Sequence, residues 1–384
     1  MFFLRILSLL WTLTVCSLAI LLLACCATSQ GVVFAIGALL LGIVPGVIWM
    51  TLGWRWRYHA AMIAFGAWLL ITLWLFVVSP DGQSREGARV QNRGVHGIWH
   101  YQMVALGALL PEIDQFLLGF QLVPAVDPLF TRTQARSLSK LTKTIYAELD
   151  ADADFHALGS VMPDVYDEIW GRPFDHGHYF LYIPPQLDRK KPVPALVFLH
   201  GSGGNFKAYT WLLSRVADEC GMVLIAPSFG IGNWNAESSS RVVTAALDDA
   251  TAVVSIDLNR VHLAGLSNGG LGVSQAAASE ATRRFRSLIF LSPACEVESL
   301  ESEDFATQWR NKSVLILAGE KDDRIPLSFV ISCAGIMRSA GAKVEMKTYE
   351  NADHFLFFSH RDELLKELSA WLKERSDPPP SAPG

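Results

Sequence analysis

The sequence predicts an α/β protein: a mostly parallel, doubly wound sheet, preceded by a helical segment and three transmembrane helices. Three observations predict it. Residues 1–78 are almost wholly apolar, with no Asp, Glu or Lys and only Arg5, Arg55 and Arg57. From His178 onward, short apolar runs alternate with helix-like stretches, the pattern of a parallel sheet covered on both faces. Between a strand-like run (Arg260–Gly265) and a small-residue, helix-like run (Gly270–Ala281) stands Gly265-Leu266-Ser267-Asn268-Gly269. A G-x-S-x-G in that setting is a sharp strand-to-helix turn that exposes its serine.

The membrane region comes first in the chain. Ile6–Ala27, Val32–Leu52 and Ala60–Val78 are apolar runs that approach the roughly 20 residues needed to cross a bilayer's hydrocarbon core. Trp54-Arg55-Trp56-Arg57-Tyr58-His59, between the second and third, has the composition of an interfacial anchor. A cleaved signal peptide followed by core helices is the competing reading, but the second and third runs are too long and uncharged for a globular core. A lipobox-like Leu22-Leu23-Ala24-Cys25 loses force for the same reason. Arg5, Arg55 and Arg57 on the cytoplasmic side place the long C-terminal part outside, whereas Arg85, Arg89 and Arg93 pull the other way. The charges in short loops weigh more, so the expected location is a bacterial cytoplasmic membrane with the C-terminal domain extracytoplasmic. Setting the three N-terminal arginines aside, the 32 Lys and Arg fall to 29, against 37 Asp and Glu. An acidic soluble part of this kind argues against a nucleic-acid partner.

Residues 79–98 are rich in Gly, Arg and Ser and read as a linker. Residues 99–171 read as a helical segment and a candidate cap: Ala135, Leu138, Leu141, Ile145 and Leu149 form one face of a helix, with Thr131 or Thr133 as its cap. Strands are expected at Tyr179–Ile183, Ala195–His200, Met222–Ala226, Arg260–Gly265, Leu288–Leu291, Val314–Ala318 and Lys343–Thr348, within a domain of residues 172–375. The proline-rich stretch at residues 376–384 reads as a disordered tail.

In parallel sheets function gathers at the carboxyl ends of strands, and the candidates for chemistry lie there. Ser267 is the expected nucleophile, and the turn needs glycine at Gly265 and Gly269. His200-Gly201-Ser202-Gly203-Gly204 follows the Ala195–Leu199 run. The N–H groups of Ser202 or Gly203, with that of Asn268, are the expected oxyanion hole, and His200 is expected to hold the loop. Asp322 is preferred to Asp323 as the buried acid. His354, in Asn351-Ala352-Asp353-His354-Phe355, is preferred to His360 as the base. Ser359 is expected to cap the last helix. The order Ser267, Asp322, His354 is that of this elbow type. His176-Gly177-His178 is the nearest approach to a metal motif, but it lacks an acidic or Cys partner at ligand spacing, so no metal and no cofactor are expected. Cys220, Cys295 and Cys333 are expected to pack as small hydrophobes. Only Ala294–Lys312 precedes the acid-bearing strand, room for one short helix and no lid domain. Gly230–Ala236, with Trp234, is a candidate wall of the cleft.

On these residues, residues 177–375 resemble the α/β-hydrolase superfamily: His200–Gly203, Gly265–Gly269, Asp322 with Ile325-Pro326, and His354 occur in its order. Asp257-Leu258-Asn259-Arg260-Val261 is similar to the approach to the elbow in polyhydroxybutyrate-depolymerase and feruloyl-esterase-like proteins. Dienelactone hydrolases are similar too, with cysteine at the Ser267 position, and prolyl-oligopeptidase-type peptidases share the core. The resemblance implies a serine hydrolase acting on a small-molecule or polymeric acyl ester by an acyl-enzyme route. A peptidase or envelope acyltransferase, and a non-catalytic membrane binding protein of the same fold, are the alternatives. It does not reach residues 1–170.

Overall fold

The computed structural model describes residues 2–48, 54–80, 82–95, 106–235 and 238–376, so Ala236 and nearly all of the proline-rich tail lie outside the described residues. The chain divides into two compact units, Met1–Asp81 with Tyr101–Ala147, and Gly82–His100 with Glu148–Gly384.

The first unit holds α1 (Phe2–Cys25), α2 (Ser29–Ile48) and α3 (Trp54–Val78). Each is long and apolar enough to cross a membrane; at about 1.5 Å per residue they reach or exceed the roughly 30 Å of a hydrocarbon core. One end of this bundle is pinned by polar contacts. Asp114, in α5 (Glu112–Leu122), which follows the short α4 (Leu106–Leu109), accepts from the Ala27 N–H at 2.5 Å and from the Thr28 hydroxyl. The Thr28 Oγ1 accepts in turn from the Gly31 N–H at 2.9 Å, which satisfies one orphan donor of the first turn of α2. Gln30 donates to the Ser79 hydroxyl at 2.8 Å and to the Leu109 carbonyl at 2.9 Å. The end of α1, the start of α2 and the end of α3 therefore lie on one face of the unit, and Arg5, Arg55 and Arg57 stand near the opposite helix ends. In α6 (Arg132–Asp150), Thr131 and Gln134 exchange bonds: the Gln134 N–H donates to Thr131 Oγ1 at 3.2 Å, and the Thr131 N–H to Gln134 Oε1 at 2.9 Å. This is a capping box, as the Thr131 cap implied.

The second unit is built on an eight-stranded sheet in the order β1-β2-β4-β3-β5-β6-β7-β8. The strands are β1 (Val90–Gly94), β2 (His178–Tyr182), β3 (Val193–Leu199), β4 (Val223–Pro227), β5 (Ile256–Leu266), β6 (Ser287–Leu291), β7 (Ser313–Gly319) and β8 (Lys343–Tyr349). β2 runs antiparallel to both β1 and β4, and the remaining pairs are parallel. The seven expected strands fall within a few residues of β2–β8. β1 corrects the reading of residues 79–98 as a linker. Its polar residues are held from outside the segment: Arg93 bonds Asp249 at 3.1 Å and the Tyr179 hydroxyl at 3.0 Å, and Asn92 meets His178.

Helices cover both faces. α7 (Ala153–His156) and α8 (Met162–Ile169) precede the parallel strands. Between and after them come α9 (Lys207–Cys220), α10 (Ser239–Val253), α11 (Gly269–Ala277), α12 (Val297–Glu301), α13 (Glu303–Trp309), α14 (Leu327–Ser339), α15 (Leu356–Ser359) and α16 (Arg361–Ser376). In β3, whose side chains alternate between faces, Ala195, Val197 and Leu199 join one core with apolar residues of α10, α11 and α14. Phe198 turns the other way, onto Tyr209 of α9 and Phe357 of α15. Two short helices, α12 and α13, occupy Ala294–Lys312 where one was expected. Ser359 does not cap α16: its hydroxyl donates to the Phe355 carbonyl. Cys295 and Cys333 share the core, thiol beside thiol.

Three histidines are buried as neutral rings. His178 opens β2 and bonds Ser228 Oγ at 2.6 Å; His262 in β5 bonds Ser287 Oγ at 2.7 Å; His200 follows β3. Burial pushes His178 and His262 down to about 3 and His200 to about 4. Below the ordinary histidine value of about 6.5 the unfolded chain therefore binds more protons than the folded one. Their stability contribution is complete above that value and is lost as the pH falls towards 3–4. Each should remove about 1.4 kcal/mol per pH unit across that window. Denaturant titrations of the detergent-solubilised chain from pH 8 to 5 should show stability falling with pH, and His262→Gln should flatten the slope by about one proton. Stability independent of pH over this range contradicts the assignment.

Candidate active site

The turn between β5 and α11 is set by backbone crowding. A Cβ on Gly269 would lie 2.2 Å from the Leu199 carbonyl oxygen at the end of β3, and one on Gly265 would lie 2.4 Å from the Gly269 carbonyl. Glycine at both positions lets α11 start directly against the sheet, and the residue between them absorbs the bend. Ser267 has φ 51°, a left-handed conformation that costs a non-glycine residue roughly 1–2 kcal/mol. Its own peptide groups hold it there. The Ser267 N–H donates to the Leu291 carbonyl at 2.9 Å, and its carbonyl accepts from Gly270 at 2.9 Å and Ala294 at 3.0 Å.

The Ser267 hydroxyl lies 2.9 Å from His354 Nε2, and His354 Nδ1 lies 2.8 Å from Asp322 Oδ2. The other Asp322 oxygen accepts from the Arg324 N–H at 2.9 Å and the Ile325 N–H at 2.8 Å. The Asp322 side chain is 2% exposed and that of His354 11%. An acceptor-only carboxylate in this position makes Nδ1 the protonated nitrogen and leaves Nε2 free to accept from the serine. The loops after β7 and β8 that carry the two residues are tied together: the Glu320 N–H donates to Tyr349 at 3.1 Å, and that of Lys321 to Ala352 at 2.9 Å. Asp323 is exposed. His360 bonds Ser359 at 2.9 Å and stands outside this relay. The three residues preferred from sequence are thus brought together.

Gly201 packs beside the serine, since a Cβ there would lie 3.2 Å from the Ser267 Cβ. His200 holds this loop as expected. Its Nδ1–H donates to the Gly201 carbonyl at 2.8 Å, and its Nε2 accepts from the Phe229 N–H at 3.1 Å. Gly203 is corrected as a candidate oxyanion donor, because its N–H donates to the Ile231 carbonyl at 2.8 Å. Among the described residues no partner accepts from the N–H of Ser202 or of Asn268, which leaves those two as the candidate donors. Trp234 is also corrected. It is fully buried, stacks on Phe229 and donates to the His200 carbonyl at 2.8 Å, so it supports the loop and does not line a cleft wall. Glu168, which no sequence pattern singled out, accepts from the Ile231 N–H and from the Asn233 amide.

The strand order, with β2 alone reversed among β2–β8, and a serine elbow after β5 followed by an acid after β7 and a histidine after β8, decide the fold. The second unit has an α/β-hydrolase fold. Comparisons with known proteins find the following similarities. The profile of the prolyl oligopeptidase family matches residues 303–378, which carry Asp322 and His354. Feruloyl esterase B of Thermothelomyces thermophilus is 33% identical over 116 residues, 26% of this chain and 38% of that protein. Dipeptidyl-peptidase 5 of Porphyromonas gingivalis is 23% identical over 271 residues, 56% of this chain and 39% of that protein. The chain thus spans about two fifths of the length of these curated relatives. Among solved structures, a thermostable esterase aligns at 19% identity and a TM-score of 0.42 over 52% of this chain and 59% of its own. A thermophilic esterase of Thermogutta terrifontis with butyrate bound aligns at 16% and 0.43, over 53% of this chain and 91% of its own.

Two glycine substitutions separate backbone crowding from simple flexibility. Gly269→Ala forces backbone atoms apart and should cost about 2–3 kcal/mol. Gly335→Ala, in the exposed middle of α14 with nothing within 4 Å, should add roughly 0.5–1 kcal/mol. Thermal melts of the two variants check both; a Gly269→Ala protein as stable as its parent contradicts the packing described.

Proposed function

We propose that the chain is a membrane-anchored serine hydrolase that cleaves carboxylic esters. The observation that carries this reading is the continuous relay from Ser267 Oγ through His354 to Asp322. His354 takes the serine proton as Oγ attacks the acyl carbonyl, and Asp322 stabilises the imidazolium that forms. The carbonyl oxygen becomes an oxyanion held by the N–H groups of Ser202 and Asn268. His354 then protonates the departing alkoxide, leaving an acyl group on Ser267. Water, deprotonated by His354, releases the acid and restores the serine. Three apolar helices, each long enough to cross a bilayer, support the membrane anchor, which we place in a bacterial cytoplasmic membrane. Arg5, Arg55 and Arg57, near one set of helix ends, favour the orientation in which those ends are cytoplasmic and the second unit is extracytoplasmic.

A peptidase reading has one observation of its own, the similarity of residues 303–378 to the prolyl oligopeptidase family. Rates on p-nitrophenyl butyrate and on aminoacyl p-nitroanilides separate the two. The ester should be the better substrate by kcat/KM; a preference for the anilides decides for the peptidase. On either substrate, Ser267→Ala should lower kcat by roughly 10⁴-fold or more, and Asp322→Asn by about 10³–10⁴-fold. Hydrolysis that survives Ser267→Ala removes the serine from the mechanism.

A further inference from the structure

The loop that follows β3 does not hold its shape alone. The neighbouring 229–234 loop is bonded to it at three points. The Ile231 carbonyl accepts from the Gly203 N–H at 2.8 Å, the Phe229 N–H donates to His200 Nε2 at 3.1 Å, and the Trp234 indole donates to the His200 carbonyl at 2.8 Å. The fit between the two is tight, since a Cβ on Gly232 would lie 2.6 Å from the Gly201 carbonyl oxygen. The outer side of the 229–234 loop is gripped by one carboxylate. Glu168 Oε2 accepts from the Ile231 N–H at 2.5 Å, and Oε1 accepts from the Asn233 Nδ2 at 2.5 Å. A Cβ on Gly230 would lie 2.0 Å from the same Oε2, so the loop is shaped around the acid.

We infer that Glu168 is a positioning residue for oxyanion stabilisation, acting on the Ser202 N–H through Ile231 and Gly203. The inference rests on the proposed roles of Ser267 and of the Ser202 N–H. One Ile231 residue links the two ends of the chain of bonds: its N–H is fixed by Glu168, and its carbonyl fixes Gly203. The Gly203 bond sets the plane of the Ser202–Gly203 peptide, and so restrains the direction of the adjacent Ser202 N–H, one residue beyond Gly201, which packs against Ser267. Gly203 and Gly204 have φ 104° and 121°, so their own backbone preferences do not specify this shape. Charge-assisted bonds are roughly twice as strong as neutral ones, and an ionised carboxylate accepts from both donors at once. A glutamine has one acceptor oxygen and turns its amide donor towards the second N–H, so it keeps one bond and loses the other.

The test compares wild type, Glu168→Ala, Glu168→Gln and Asn233→Ala on p-nitrophenyl butyrate, together with inhibition by phenylboronic acid. The Ser267 hydroxyl adds to that acid to give a tetrahedral boronate that places an oxygen in the oxyanion position. Glu168→Ala should lower kcat roughly 10–100-fold, with KM within about twofold, and weaken boronate binding by a similar factor. Glu168→Gln and Asn233→Ala each retain one of the two bonds and should fall between wild type and Glu168→Ala in both readouts, so the comparison survives if Glu168→Ala fails to fold. Folded variants with unchanged kcat and boronate affinity, or with KM raised and kcat unchanged, overturn the positioning role while leaving the hydrolase reading intact. A wild type that neither hydrolyses the ester nor binds the boronate overturns the hydrolase reading and the role of Glu168 with it.

Discussion

The approach of one backbone to another, where α11 begins against the end of β3, is the constraint on which the site depends. Gly269 sits so close to the Leu199 carbonyl that no side chain fits between them. The chain must therefore turn from strand to helix within Ser267 and Asn268, and Ser267 takes a left-handed φ to do so. That strain is stored by the parallel sheet beneath. β3 and β6 are buried, β5 is buried from Val261 on, and β5 is hydrogen-bonded to both, so their carboxyl ends form a rigid platform. A nucleophile on such a platform is positioned better than one on a free loop.

Around that point nearly every polar group is committed to one role. Asp322 accepts from two backbone N–H groups and from His354, which leaves its carboxylate no other orientation. His200 uses both ring nitrogens, one on Gly201 and one on Phe229, and so joins two loops instead of serving as a second base. Satisfied buried networks of this kind fix geometry because an unmade bond in a low-dielectric interior is costly. The same logic operates in the first unit, where Asp114 closes the turn between α1 and α2. The 99–171 segment serves both units. Residues 101–147 group with the three apolar helices and residues 148–171 with the sheet, where α8 supplies Glu168.

β3, β4, β6 and β7 were legible because they are buried on both faces and so read as continuous apolar runs, and edge strand β8 by its alternation of polar and apolar residues. Ser267, Asp322 and His354 were legible because each follows a strand. β1 was not: Val-Gln-Asn-Arg-Gly is polar, and it pairs with β2 some 90 residues away, a partnership absent from local composition. Nor could residue types distinguish Ser202 from Gly203 as a donor, since both offer a backbone N–H and only the fold decides which one Ile231 takes. Trp234 looked like a cleft wall because it lies in a Gly- and Asn-rich loop, but its indole N–H finds the His200 carbonyl and draws the ring inside. Glu168 was hidden by distance, its partners lying 63 and 65 residues further on.

In the proposed reaction Ser267, of all the serines in the chain, is the activated nucleophile. The most direct measurement is mass-spectrometric mapping of the intact, detergent-solubilised protein after reaction with a fluorophosphonate. One phosphonyl adduct is expected, on Ser267 within the tryptic peptide Val261–Arg283, and its loss in His354→Ala, where no base accepts the serine proton. An adduct on another residue, or an unmodified wild-type protein, would contradict it.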